Sequence, residues 1–149
     1  MLWDLGAGSG SISVEWCLVA PGARAHAVET RAERADTIRA NAAAFGIDHR
    51  LRVHQGDWPG LTPALPRPAA VFVGGGLGAE ALAGLWTRLP EGTRLVVNAV
   101  TLGTEALLSE WHGRCGGTLC RFDMAEAQPL GRMRGWVPAR PVVQWSVTR

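Results

Sequence analysis

The stretch Trp3–Gly10, WDLGAGSG, decides how this chain is to be read. A short apolar run ends in three alternating glycines, Gly6, Gly8 and Gly10. Apolar residues stopped by glycine read as a buried strand. Glycine takes left-handed backbone and lets a ligand come close to bare peptide groups. The helix that starts at once turns its own free N–H groups and positive dipole end to the ligand, a setting for an anion or a carboxylate.

Outward from this turn the chain alternates. Met1–Leu5 is the strand. Gly10–Ala20 is the helix, with Ser9 or Ser11 as its cap and Ile12, Trp16 and Val19 on one face. Strands are expected at Arg24–Glu29, Leu51–His54, Ala69–Val73 and Arg94–Ala99. Helices are expected at Ala32–Phe45 (Ile38, Ala42 and Phe45 inward), Ala79–Leu89 and Thr104–His112. The period then drops to two in Leu119–Ala125 and Pro141–Thr148, as in antiparallel strands with one wetter face. Gln128–Arg140 reads as one long irregular loop. The expected fold is α/β: a doubly wound, mostly parallel seven-stranded sheet closed by a C-terminal antiparallel hairpin, one domain over residues 1–149.

Composition narrows the function. No apolar run is long enough to span a membrane, and no basic stretch followed by an apolar one opens the chain. A net charge of +2 is too weak to argue for nucleic acid. Cys17, Cys115 and Cys120 are odd in number and lack metal-ligand spacing, which suits buried thiols in a reducing cytoplasm. All basic side chains other than histidine are arginine, which grips carboxylates bidentately, although an Ala- and Gly-rich chain reaches the same bias by composition alone. Trp16, Trp86, Trp111 and Trp145 fall on core faces, and Trp136 is expected to pack under a Pro-rich loop, with stacking on a flat ligand as the alternative. His26 and His54 lie in strands as satisfied core or edge groups.

In a doubly wound sheet, ligands bind beyond the carboxyl ends of the strands, beside the first one. The glycine spacing is G-x-G-x-G; the dinucleotide pattern G-x-G-x-x-G would need glycine where Ser11 stands. Glu29 closes the second strand, where an acid can hold both ribose hydroxyls. Gln55–Pro59, QGDWP, follows the third, and its Asp57 can accept from an exocyclic adenine amine or serve as a turn former.

These residues resemble the fingerprint of class I S-adenosylmethionine-dependent methyltransferases. The resemblance implies S-adenosyl-L-methionine as cofactor. It implies Gly6, Ala7, Gly8, Ser9 and Gly10 under the methionine portion, Glu29 at the ribose, and Gly56, Asp57, Trp58 and Gly74 around the rest. On this reading Glu29→Ala weakens cofactor binding and leaves folding intact. Val71–Gly78, VFVGGGLG, lacks the acceptor side chains of amino-group methylators and leaves room for a large flat substrate.

Four strings together, LWDLGAGSGSISVEW, VFVGGG, LVVNAVTL and QPLGRMRGW…PVVQW, resemble the decarboxylating precorrin methyltransferases of cobalamin biosynthesis, from Leu2 to Trp145. This resemblance implies methylation of a precorrin macrocycle at carbon 15, coupled to decarboxylation of the ring C acetate. It implies a module that is the C-terminal half of a longer chain, behind an N-terminal tetrapyrrole methylase, and a homo-oligomer. A start inside the first strand fits a module cut short. Gly75 and Gly76 would face the substrate, with Arg132, Arg134 and Arg140 on its carboxylate arms. Asn98, Thr101 and Thr104 stand at the rim after the fifth strand, and Asn98, Thr101 and Glu105 are the candidates for catalysis. No Ser-His-Asp, Cys-His or metal-ligand cluster is present, which fits cofactor-and-substrate chemistry. The alternatives are an RNA methyltransferase of the same fold and a non-catalytic partner domain.

Overall fold

A computed structural model describes residues 1–149. Strands β1 (Leu2–Leu5), β2 (Ala25–Glu29), β3 (Leu51–Gln55), β4 (Ala70–Val73) and β5 (Arg94–Ala99) are parallel. They alternate with helices α1 (Ser11–Val19), α2 (Ala32–Ala44), α3 (Trp58–Leu61), α4 (Ala79–Arg88) and, after β5, α5 (Leu102–Cys115). Strands β6 (Thr118–Phe122) and β9 (Val142–Thr148) pair antiparallel and close the sheet, in the order β3-β2-β1-β4-β5-β9-β6. The chain runs outward from β1 through β2 and β3, then returns to β4, so a crevice opens between β1 and β4 at the carboxyl ends.

All four residues of β1 are buried, because both faces of the sheet are covered there. Trp3 and Leu5 join Val71, Val73, Leu95, Val97, Trp145 and the inner faces of α4 and α5 in one core. Leu2 joins Val14, Cys17, Ala25, Ala27, Ile38 and Ala42 in the other, under α1 and α2. These two helices stop short of β4 and β5. Over those strands a groove of about 250 Å³ stays open, lined by Ile12, Trp16, Phe72 and Val96 among others.

Several expectations need correcting. The buried face of α1 is Ser13, Val14 and Cys17, while Ile12 and Val19 are 40% and 83% exposed. The reason is polar: the buried Asp4 accepts from the Ser13 N–H at 3.1 Å and from its hydroxyl at 2.7 Å, turning that edge of the helix inward. The cap is Gly10 at φ 78°, not Ser9 or Ser11. In α2 the stripe is Ala35, Ile38 and Ala42; Phe45 is 56% exposed, and Ile47 folds into the core in its place. Cys17 alone of the three cysteines is buried. Trp111 and Trp145 are buried, whereas Trp16 and Trp86 are partly so.

The largest difference lies in Gln128–Arg140. It is not an irregular loop: β7 (Ala125–Leu130) and β8 (Met133–Pro138) form a second, two-stranded antiparallel sheet with its turn at Gly131-Arg132. Pro129, Gly135 and Pro138 hid it, since proline and glycine argue against strands except where no neighbour needs their N–H. Trp136 lies on this arm and is 75% exposed, not packed under a loop. In β6, Leu119 is the half-buried residue, and Cys120 and Phe122 are exposed on the other face, the reverse of the expected alternation partners.

Candidate functional site

The three glycines turn the chain from β1 into α1 with φ of 68°, 61° and 78°. At Gly6 the demand is doubled: a Cβ there would lie 2.7 Å from the Gly75 carbonyl oxygen on the neighbouring loop. Gly8 differs, because a Cβ would meet nothing within 4 Å. Gly6 is therefore required by packing against its neighbour, and Gly8 by backbone conformation beside empty space.

Most peptide N–H groups of the turn are taken. Those of Gly6 and Ala7 donate to the Val28 carbonyl at 2.9 and 3.1 Å, and that of Gly10 to Ala7 at 2.9 Å. No acceptor in the protein meets the N–H groups of Ser9, Ser11 or Ile12. The donors open to a ligand are thus one residue of the turn and the first turn of α1. The free amides of the helix start were expected to face a ligand, and the structure gives them the names Ser11 and Ile12, which the sequence reading did not single out as site residues.

Glu29, 4% exposed, reaches across from β2. One carboxylate oxygen accepts from the Gly8 N–H at 2.9 Å; the other accepts from the Arg31 N–H at 3.0 Å and the Thr30 hydroxyl at 3.3 Å. Burial pushes this carboxyl up, but the Arg31 and Gly8 amides, the Thr30 hydroxyl and nearby Arg34 outweigh it and hold it below the ordinary glutamate range. A carboxylate has about four lone-pair sites, so one stays free while all three donors are engaged. Behind it sits Asp4, fully buried, with one oxygen on Ser13 and the other without a partner. Burial raises its pKa, the Ser13 bonds oppose the rise, and the charge on Glu29 adds to it.

The loop after β3 closes the crevice from one side. The Gly56 N–H donates to the Glu29 carbonyl at 3.0 Å, and Asp57 stands exposed at the start of α3 with no hydrogen bond to its side chain. Trp58 turns away from the crevice mouth into the core and donates its indole N–H to the Gly75 carbonyl at 3.2 Å. That bond ties the loop after β3 to Gly74–Gly76 after β4, where the Gly74 N–H also bonds the Leu5 carbonyl at 2.8 Å. Gly6, Gly8, Glu29, Gly56 and Gly74–Gly76 are thereby brought to one mouth.

The rim candidates are not brought together. Asn98 accepts from Gln144 Nε2 at 2.9 Å on the face shared with Cys120. Glu105 lies 3.9 Å from Arg121, which belongs to the opposite face, in register with Val143 and Ala99, and which also bonds Asp123. Thr101 caps α5 by accepting from the Thr104 N–H at 3.3 Å. Arg132 sits in the turn of the β7–β8 arm, Arg134 donates to the Ala127 carbonyl within that arm at 2.8 Å, and Arg140 is exposed beyond it. None of these three arginines makes a hydrogen bond or ion pair to the glycine turn.

A family model described as precorrin methyltransferase domain matches residues 1–149. The chain is 47% identical, over 151 aligned residues, to precorrin-6Y C(5,15)-methyltransferase [decarboxylating] of Sinorhizobium sp.. It is 45% identical to the protein of the same description from Mycobacterium tuberculosis H37Rv. These alignments take in 100% and 99% of this chain but 36% and 37% of the relatives, so the chain spans little over a third of their length. A crystal structure of the C-terminal domain of precorrin-6Y C5,15-methyltransferase from Rhodobacter capsulatus superposes with a TM-score of 0.95 at 51% identity, over 99% of this chain and 79% of that one. With its parallel sheet, its glycine turn and a family match from end to end, the chain belongs to the precorrin methyltransferase domain family.

Proposed function

We propose that this chain binds S-adenosylmethionine and methylates a precorrin macrocycle at carbon 15, with loss of carbon dioxide from the ring C acetate, in cobalamin biosynthesis. The observation that carries this reading is the open space at Gly8 beside the Glu29 carboxylate, inside a chain of this family. The residues suit the cofactor chemically. Free N–H groups of Ser9, Ser11 and Ile12 match an amino-acid carboxylate, Glu29 matches sugar hydroxyls, and the unengaged Asp57 matches an adenine amine. Gly6, Ala7, Gly10, Gly56 and Gly74 shape the cradle, and Trp58 holds it from behind.

The cofactor, when bound, supplies an electrophilic methyl group. The protein contributes alignment and exclusion of water, because an enamine-like ring carbon is itself the nucleophile. Its electron pair would form the new C–C bond as the methyl–sulfur bond breaks, the pair of the broken bond staying on the departing sulfur. In the decarboxylation, the bond to the carboxylate breaks with release of carbon dioxide, its electron pair is held in the conjugated ring, and that pair returns to the acetate carbon as this carbon takes up a proton. Gly75, where a Cβ would meet nothing within 4 Å, leaves room for a flat ring; Gly76, whose Cβ position lies 3.1 Å from Trp58 Nε1, adds only its peptide, and Asn98 is the rim residue on the face of β5 that carries Gln144. Arg132, Arg134 and Arg140 meet carboxylate arms only if the β7–β8 arm lies against the substrate, which in our reading a neighbouring copy arranges.

The assembly is read in the same way. The β7–β8 sheet stands apart from the core with Leu130, Met133 and Trp136 exposed, and an isolated two-stranded sheet is marginal in water. A second copy of the chain covers it, and an N-terminal tetrapyrrole methylase domain precedes residues 1–149, which act as a single catalytic domain. No helix is long and apolar enough to cross a membrane, and three cysteines without a disulfide suit the reducing cytoplasm.

The test is incubation of the protein with the methylated precorrin precursor and S-adenosylmethionine, followed by mass spectrometry. The expected product has gained a methyl and lost carbon dioxide. Gain of a methyl alone would remove the decarboxylation. Calorimetry with S-adenosylhomocysteine showing no heat would leave a non-catalytic domain.

A further inference from the structure

Residues paired across strands share a face of the sheet. Leu5 pairs with Val73, and Val73 with Val97. One step further along, β1 and β4 give way to Gly6 and Gly74, while β5 runs on to Asn98, which pairs with Gln144 and through it with Cys120. The Gly74 N–H on the Leu5 carbonyl, at 2.8 Å, completes the Leu5–Val73 pair and holds the loop after β4 against the glycine turn. Gly6 and Gly74 carry no side chain, and a Cβ on Gly74 would lie 3.0 Å from the Gly6 carbonyl oxygen. The Phe72 ring comes within 3.1 Å of where a Cβ on Gly74 would stand, so a ligand over the two glycines lies against this ring, and Asn98 is the first polar side chain beyond it.

Asn98 is half-buried, and its Oδ1 is occupied by the 2.9 Å bond from Gln144 Nε2. No acceptor in the protein engages its Nδ2. A primary amide has one acceptor oxygen and two N–H donors, so this pairing withdraws the oxygen and leaves the donors. We propose that Gln144 is a positioning residue: by holding Asn98 Oδ1 toward β9, it presents the Asn98 Nδ2 donors to a carboxylate arm of the substrate. The proposal rests on the reading of the crevice as a precorrin site. It assigns Asn98 to substrate orientation, since an amide neither delivers nor removes a proton at neutral pH.

The test measures binding of uroporphyrin, a stable tetrapyrrole bearing acetate and propionate arms, by fluorescence titration. Gln144→Leu and Asn98→Ala are each expected to raise its dissociation constant about tenfold, the scale of one hydrogen bond to a charged group. The double variant should lose no more than either single one, because the two residues act as a unit. Affinity for S-adenosylhomocysteine should stay at the wild-type value, and with the precorrin substrate the loss should fall on KM, not kcat. Gln144→Glu keeps the shape but donates only when protonated. Its deficit relative to wild type should be full near pH 8 and narrow toward about pH 5. Wild-type porphyrin affinity in a folded Gln144→Leu or Gln144→Glu protein would overturn the proposal and leave the precorrin reading standing. Additive losses in the double variant would also overturn it. A wild-type protein that binds S-adenosylhomocysteine but no porphyrin would defeat the precorrin reading, and this proposal with it.

Discussion

Replacing Glu29 with alanine removes a side chain that serves the fold and the ligand together. The carboxylate holds the Gly8 N–H at 2.9 Å, the Arg31 N–H at 3.0 Å and, more loosely, the Thr30 hydroxyl at 3.3 Å. Hydrogen bonds to a charged group contribute about 1.5–3 kcal/mol each. Arg31 and Thr30 are exposed and find water after the change, and Gly8 opens onto the crevice, so the low end applies. Two strong bonds and one weak one then give a destabilisation of about 3 kcal/mol. For a chain of this length that corresponds to a fall in Tm of about 6–12 °C. The domain stays folded at room temperature if its stability lies in the ordinary range of about 5–15 kcal/mol. One lone pair remains for the sugar, and the Thr30 hydroxyl can yield a second, so affinity for S-adenosylhomocysteine should drop at least about tenfold. The assays are scanning calorimetry and titration calorimetry, with the exposed Glu33→Ala as control. An unchanged Tm would refute the bracing of the turn by Glu29, and unchanged affinity would remove Glu29 from the site. This expectation departs from the reading of the sequence alone, in which loss of Glu29 spares folding.

Other outcomes follow from the same geometry. Gly6→Ala meets both positive φ and the Gly75 backbone and should cost about 2–5 kcal/mol of stability, seen as a lowered urea midpoint. Gly8→Ala meets only the strain of its φ, about 1–2 kcal/mol, yet places a methyl in the crevice; its loss of S-adenosylhomocysteine affinity should exceed that of a variant destabilised equally elsewhere. Equal binding would show that no ligand passes Gly8. His26 and His54 stack with Nδ1 and Nε2 2.9 Å apart. Burial lowers both pKa values, Arg52 adds to each, and His54 adds to His26. The folded pair therefore holds fewer protons than the unfolded chain near and below the ordinary histidine pKa of 6.5, so stability present above that value is lost as pH falls through the depressed values. Melting from pH 7.5 to about 5 should show the loss, and His26→Gln should flatten it; a parallel curve would exclude the pair as its source. Arg50 Nη1 donates to the carbonyls of Cys17 at 2.7 Å and Ala20 at 3.0 Å, closing the end of α1 far from the crevice. Arg50→Met should lower stability by about 1–3 kcal/mol with S-adenosylhomocysteine affinity unchanged, and a lost affinity would contradict the separation of the two ends.

What the sequence determined by itself is the part governed by short-range rules. Three glycines after the tetrad Leu2–Leu5, apolar but for Asp4, force a strand–turn–helix, and Glu29 closing the next strand of a parallel sheet must arrive at the same end. Periodicity of 3.6 and then 2 separates the wound sheet from its antiparallel edge, because side-chain direction follows backbone period. Only the tertiary structure decided matters that depend on what lies across from a residue. Ser13 is buried because Asp4 is there to receive it, and Phe45 is exposed because Ile47 reaches the core first. Trp58 became a strut because the Gly75 carbonyl faces its indole N–H. Register set Asn98 beside Gln144 and put Glu105 and Arg121 on the other face, a distinction of a single residue step that no local pattern contains. The β7–β8 arm was hidden for the same reason: its prolines forbid a central strand, and only the absence of a neighbour on their side makes a strand admissible.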